Sequence, residues 1–150
     1  MSKQRTGPET KDSEYYSVVI NDDPDRVIML RRNDKRLSSK VERFIETANK
    51  TLIDVFSCMA EDYEEAYKAT AMSIITGNEL KANCKPSSWY MNKHRELEQE
   101  FDRTFGKGAC IAIFQGESLF GKSTETGNCL IIDAIDQLYP HVLKCSMGAE

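Results

Sequence analysis

Glu100-Phe101-Asp102-Arg103-Thr104-Phe105 is followed by Gly106-Lys107-Gly108 and then by Ala109-Cys110-Ile111-Ala112-Ile113-Phe114. The first piece closes a helical pattern on an aromatic and a glycine. The last is apolar at nearly every position. How that last run is read decides the fold. A short continuous apolar run bounded by turn residues suits a strand covered on both faces. A strand over Ala109–Phe114 is therefore expected. Upstream, Pro86-Ser87-Ser88 opens the helix, Tyr90, His94, Leu97, Phe101 and Phe105 form its apolar face, and Gly106 ends it.

Further upstream the periodicity changes twice. Tyr16, Val18 and Ile20 alternate as on a half-buried strand, and Val27-Ile28-Met29-Leu30 reads as its partner. Between them Asn21-Asp22-Asp23-Pro24-Asp25 is turn chemistry, because Asn and Asp hydrogen-bond their own backbone and Pro fixes φ. A hairpin is expected. Ser38 or Ser39 can cap a helix carrying Val41, Phe44, Ile45, Ala48, Leu52, Val55 and Met59 on one stripe. A second helix covers Glu61 to about Ile75, with Tyr63, Ala66, Tyr67, Thr70 and Ile74 on one face, and Gly77-Asn78 stops it. The pattern leaves open whether these two helices are one. Residues 1–13 are polar and charged without apolar periodicity, as in a disordered tail.

With 150 residues the chain suits one domain plus an appended segment, and it can bury a core without disulfides or metal. A net charge of −4 argues against a nucleic-acid partner. The five cysteines, Cys58, Cys84, Cys110, Cys129 and Cys145, show no C-x-x-C spacing and read as reduced core thiols. His94 and His141 sit at unrelated spacing, so no metal site is expected. Both read as core or interface histidines, and Trp89 as a packing aromatic. The run Arg31–Arg36, interrupted by Asp34, reads as a solvated loop. The N-terminus has no apolar signal region, and no apolar stretch approaches ~18 residues, so neither secretion nor a membrane is expected.

Gly116-Glu117-Ser118-Leu119-Phe120-Gly121-Lys122-Ser123 matches G-x-x-x-x-G-K-[ST] letter for letter. In a true P-loop, backbone amides would cradle phosphates, Lys122 would reach the terminal phosphate and Ser123 would hold magnesium. Against this, the segment that should be the phosphate helix contains Gly127, β-type Ile131-Ile132 and Pro140. A small nucleotide-binding protein using Gly116–Ser123 is the alternative reading.

The same stretch resembles the eight-kilodalton (type 1) dynein light chain family. Glu100-Phe101-Asp102-Arg103 with Phe105, then Cys110-Ile111-Ala112, then Phe120-Gly121 and Glu125-Thr126 follow that family's order, and Met59-Ala60-Glu61-Asp62 is similar to the start of its first helix. The resemblance spans roughly residues 59–148. It implies an α+β fold of two to three helices packed on a small antiparallel β-sheet. In that fold Leu119–Thr124 is a strand, and Leu130–Ala134 with Leu138–Lys144 is a closing hairpin. Three segments follow: a 1–13 tail, a 14–58 extension of hairpin plus helix, and a 59–150 light-chain domain.

The resemblance also implies a role: a non-catalytic subunit of a dynein motor on microtubules, without cofactor. Such a subunit binds dynein intermediate chain and other dynein light chains by strand pairing, as a homo- or heterodimer. The partner-binding edge would be Leu119, Phe120, Gly121, Lys122, Ser123 and Thr124. The family's Thr-His before Glu125-Thr126 is missing, and the interval there is two residues shorter. These departures point to an axonemal arm of a cilium, within the cytoplasm and cytoskeleton, rather than to a general adaptor.

Overall fold

The computed structural model describes residues 14–147, so the expected tail over 1–13 lies outside the described residues. Among them the chain is α+β: a two-stranded antiparallel sheet and four helices. The elements are β1 (Tyr15–Ile20), β2 (Asp23–Arg31), α1 (Leu37–Thr76), α2 (Ser87–Phe105), α3 (Ala109–Phe114) and α4 (Leu130–Ser146). They form two compact units. The first comprises residues up to Glu46 and from Glu98 onward, and the second Thr47–Leu97.

In the first unit, β1 and β2 form the expected hairpin, Tyr15 opposite Arg31 and Val18 opposite Ile28. Asn21 and Asp22 both take positive φ (58° and 55°), as a type I′ turn requires, and both residue types tolerate that region. A register shift after Val19 absorbs Pro24 beside the turn, where a missing amide disturbs the ladder least. Val18, Ile20, Ile28 and Leu30 share the buried face. Opposite them in chain order comes α4, with Ile131, Ala134, Leu138, Val142 and Cys145 buried at helical spacing.

Phe101 is fully buried among Phe44, Phe105 and Phe114, with ring centroids 5.5, 4.7 and 5.5 Å away. Burying each such side chain is worth roughly 1.5–3 kcal/mol. The start of α1 is capped from a distance. The Ser146 hydroxyl accepts the Ser38 amide at 2.7 Å and donates to Asp34 O at 3.1 Å. Ser38 and Ser39 therefore lie inside the helix, which starts at Leu37.

Three expected strands are not strands. Ala109–Phe114 is α3: Ala109, Cys110, Ile113 and Phe114 are buried while Ile111 is exposed, a helical repeat. Gly106 and Gly108, at φ 116° and 84°, turn the chain sharply out of α2. Asp102 Oδ1 then accepts the Cys110 amide at 2.8 Å and supplies the helix start. Leu119–Thr124 is a loop with a lone bridge, Lys122 to Cys129. Leu130–Lys144, expected as a hairpin, lies within the single helix α4, which carries Pro140 inside it.

In the second unit, the two helices expected upstream prove to be one. α1 runs unbroken across residue 58, where a segment boundary was expected. Gly77 (φ 74°) ends it, its amide returning to Ser73 O at 2.9 Å. The connection to α2 is held by Asp62, whose carboxylate accepts the Lys85 amide (3.1 and 3.2 Å) and the Tyr90 hydroxyl (2.6 Å). Ala48, Leu52, Val55 and Leu97 are buried. Tyr63, Ala66, Tyr67, Thr70 and Ile74, expected on one helix face, are exposed. Trp89 carries Lys85 and Lys93 ammonium groups 5.2 and 5.3 Å from its ring centroid.

Candidate functional site

The first unit contains a cleft of about 720 Å³, within the usual size of a ligand site. Its apolar floor comes from Ile20, Ile113, Phe114, Leu130 and Ala134, and its polar walls from the hairpin turn, the 117–128 loop and the first turns of α4. Most wall side chains are already engaged. Arg26 donates to Asp23 (3.1 Å), Glu117 (2.8 Å) and Ile113 O (2.7 Å), tying β2 to the region after α3. The hydrogen bond to Glu117, and then Asp23, raises the guanidinium pKa further. Gln137 accepts the Asn21 amide (2.6 Å) and donates to the Asn21 side chain (2.8 Å). Thr126 donates to Asp133 (2.7 Å).

Six residues were expected to form one partner-facing strand edge. Lys122, Ser123 and Thr124 line the cleft. Leu119 is fully buried, and Leu119, Phe120 and Gly121 do not line it. Leu119 and Gly121 have a different task. Their carbonyls accept the Ile131 and Leu130 amides at 3.2 and 2.8 Å, satisfying orphan donors at the start of α4, where Cys129 offers no side-chain cap. The loop thus folds inward to cap a helix, which takes its backbone away from strand pairing.

The same bonds bear on the G-x-x-x-x-G-K-S match. A P-loop needs a strand before it and a helix opening near its lysine. Here helix α3 precedes it and α4 opens seven residues after Ser123. The amides of Glu117, Phe120, Gly121 and Ser123 donate to Phe114 O, Ser118 Oγ, Ser118 O and Asn128 O. Ser123 Oγ accepts the Glu125 and Thr126 amides (3.2 and 3.3 Å). Donors that would cradle a phosphate are turned onto the chain itself.

The five cysteines are free; Cys110 and Cys145 are buried, while Cys84, expected in the core, is exposed. Burial, with Glu98 and Asp102 nearby, pushes Cys110 up to about 12. Burial likewise raises Cys129 and Cys145, and loss of solvation, then Asp62 and Glu65, raises Cys84. A raised pKa withholds the nucleophilic thiolate. His141 stacks on Tyr16 (5.2 Å), its buried Nδ1 without a hydrogen bond. Burial, and then Lys144, lowers its pKa. Among the described residues no group of His, Cys, Asp and Glu is placed to hold a metal, and no helix is long and apolar enough to cross a membrane.

The Asp62 arrangement escaped sequence reasoning. It borders a second cleft, of about 570 Å³, lined by Glu61, Glu64, Glu65, Asn83 and Lys85. Loss of solvation and the bond to Asp62 raise the Tyr90 pKa, holding the phenol as a donor. A carboxylate on one helix receiving an amide and a phenol from 23 and 28 residues away leaves no periodic signal.

No protein-family model, curated protein or solved structure matches this chain.

Proposed function

We propose that this chain is a non-catalytic interaction subunit that accepts an extended partner segment along β2. The observation carrying this is the open edge of the hairpin. The Arg32 amide donates to Glu14 O at 2.7 Å, which fixes the phase of the ladder. Hydrogen-bonded pairs therefore fall at Tyr16–Leu30 and Val18–Ile28. Val27, Met29 and Arg31 then point their backbone groups away from β1, and among the described residues nothing outside the hairpin receives them. Met29 is 49% exposed on the solvent face. A strand edge of this kind templates β-augmentation. The engaged walls of the cleft and the raised thiol pKa values support a binding role over catalysis.

The finer assignment, a light chain of an axonemal dynein pairing with intermediate chain and other light chains, rests on the sequence resemblance. Its best-kept part is Glu100–Phe105 at the close of α2. In this reading the strand-pairing role belongs to β2, because residues 109–114 and 130–146 are helical. The nucleotide reading has no comparable support.

The test is a pulldown of tagged chain from ciliated-cell axonemal extract, read by mass spectrometry, beside a Met29→Pro variant. Proline there removes an outward amide and leaves the hairpin bonds intact. Intermediate and light chains captured by the wild type and lost in the variant are the expected result. Their absence from the wild-type eluate overturns the dynein assignment. Equal capture by both chains overturns the β2 edge.

A further inference from the structure

We infer that two copies of this chain pair along α1, through a heptad seam at residues 53–74. Ile53, Phe56, Ala60, Tyr63, Tyr67 and Ile74 recur at alternating steps of three and four, with Thr70 completing the series. This is the a/d pattern of a coiled coil held for three heptads, roughly 33 Å of helix. A different face, bearing Val55 and Asp62 roughly a third of a turn round the helix, is used within the second unit. The seam itself is open: Ile53 is 66% exposed, Tyr63 75%, Tyr67 68% and Ile74 78%.

With the roughly 150–250 Å² of an aromatic side chain as the upper scale and exposures of 40% at Phe56 to 78% at Ile74, the seam with its flanking Met59 presents on the order of 800 Å². That exceeds the few hundred Å² of the largest patch on a typical monomer. It also reaches the ~800 Å² per partner of a standard interface.

A second copy is the occupant that the side-chain sizes select. In an antiparallel pair, a positions face d positions, so Ala60 meets Tyr63, Ile53 meets Thr70 and Phe56 meets Tyr67. Small faces large at the centre, as interdigitated layers require. A parallel pair would set Tyr63 on Tyr63 and Ala60 on Ala60, crowding one layer and emptying the next. The flanking Ser57, Ala66, Ala71 and Ser73 are small, letting two helices approach. The inference does not rest on the strand-addition reading, since β2 and this seam belong to different units.

The test is the mass of the purified full chain by light scattering after size exclusion at ~10–100 μM. Twice the 17.1 kDa chain mass is expected. Tyr67→Lys should convert the dimer to monomer with the helical circular dichroism of the folded chain retained, since Tyr67 is exposed. With Cys58 and Cys84 replaced by Ser, chains carrying Phe56→Cys should cross-link to chains carrying Tyr67→Cys and not to themselves. A monomeric wild type, or a dimer untouched by Tyr67→Lys, overturns the seam. Self-cross-linking of Phe56→Cys overturns the antiparallel register.

Discussion

The two units bury their apolar residues in opposite ways. In the first, β1, β2, α3, α4 and the ends of α1 and α2 each contribute fully buried side chains, and the polar groups between them are joined across the chain. Gln137 and Asn21 meet from 116 residues apart, and Ser146 caps a helix 108 residues upstream. In the second, burial along α1 stops near Val55, and beyond it the tyrosines and isoleucines face solvent. The connection to α2 is held by local polar contacts, the Asp62 carboxylate on the Lys85 amide and Tyr90 hydroxyl and the Ser73 hydroxyl on the Leu80 amide. The first unit buries a core drawn from every one of its elements, with scattered apolar residues such as Met29 and Ile111 left at its surface. The second leaves a seam for another molecule to cover.

The largest expected effect breaks the first unit at its centre. Phe101→Ala removes a ring touching Phe44, Phe105 and Phe114 and should cost about 3–5 kcal/mol in urea or thermal unfolding. Asp62→Ala attacks the second unit alone. It removes the acceptor of the Lys85 amide and the Tyr90 hydroxyl, which then turn to water, and should lower stability by less than Phe101→Ala does. Faster hydrogen exchange confined to residues 78–93, with α4 unchanged, is the expected reading.

His141 provides a pH test of the first unit. Its folded pKa lies below the ordinary imidazole value because of burial and then Lys144. The unfolded chain therefore binds the proton more readily, and the histidine's contribution is full above that ordinary value and lost as pH falls through the folded one. The melting temperature should drop on acidification through this window, and His141→Phe should flatten that slope. Gln137→Ala, which releases the hairpin turn from α4, should cost about 0.5–1.5 kcal/mol. The smallest effect belongs to exposed Lys122. Lys122→Ala should change stability by less than about 0.5 kcal/mol. Magnesium nucleotide should shift the melting of neither chain.

The hairpin was legible because alternation and Asn-Asp turn chemistry agree. The faces of α2 and of α1 as far as Val55 were legible from their 3.6-residue repeat, but Met59, expected on the same stripe, is exposed. Ala109–Phe114 was not, because a run apolar at nearly every position carries no period, and its helix start comes from Asp102 seven residues earlier. The α4 spacing, Ile131, Ala134, Leu138, Val142 and Cys145, was present in the sequence. Pro140 and β-branched Ile131-Ile132 argued against a helix there, and burial of the stripe outweighed both. Of the expected strand edge, Lys122, Ser123 and Thr124 do reach the cleft. Leu119 and Gly121 serve α4 through their carbonyls, and a carbonyl's partner leaves no trace in side-chain chemistry. The α1 tyrosines were legible as one helical face, but which side of that face meets water depends on the return of the chain to Asp62.

The contrast between the two units is tested most directly by hydrogen exchange of the full chain at two concentrations about a hundredfold apart. Amides of α4 should be protected equally at both. Amides of residues 53–74 should be weakly protected when dilute and gain protection when concentrated, with no gain in Tyr67→Lys. Strong, concentration-independent protection of residues 53–74 would contradict that contrast.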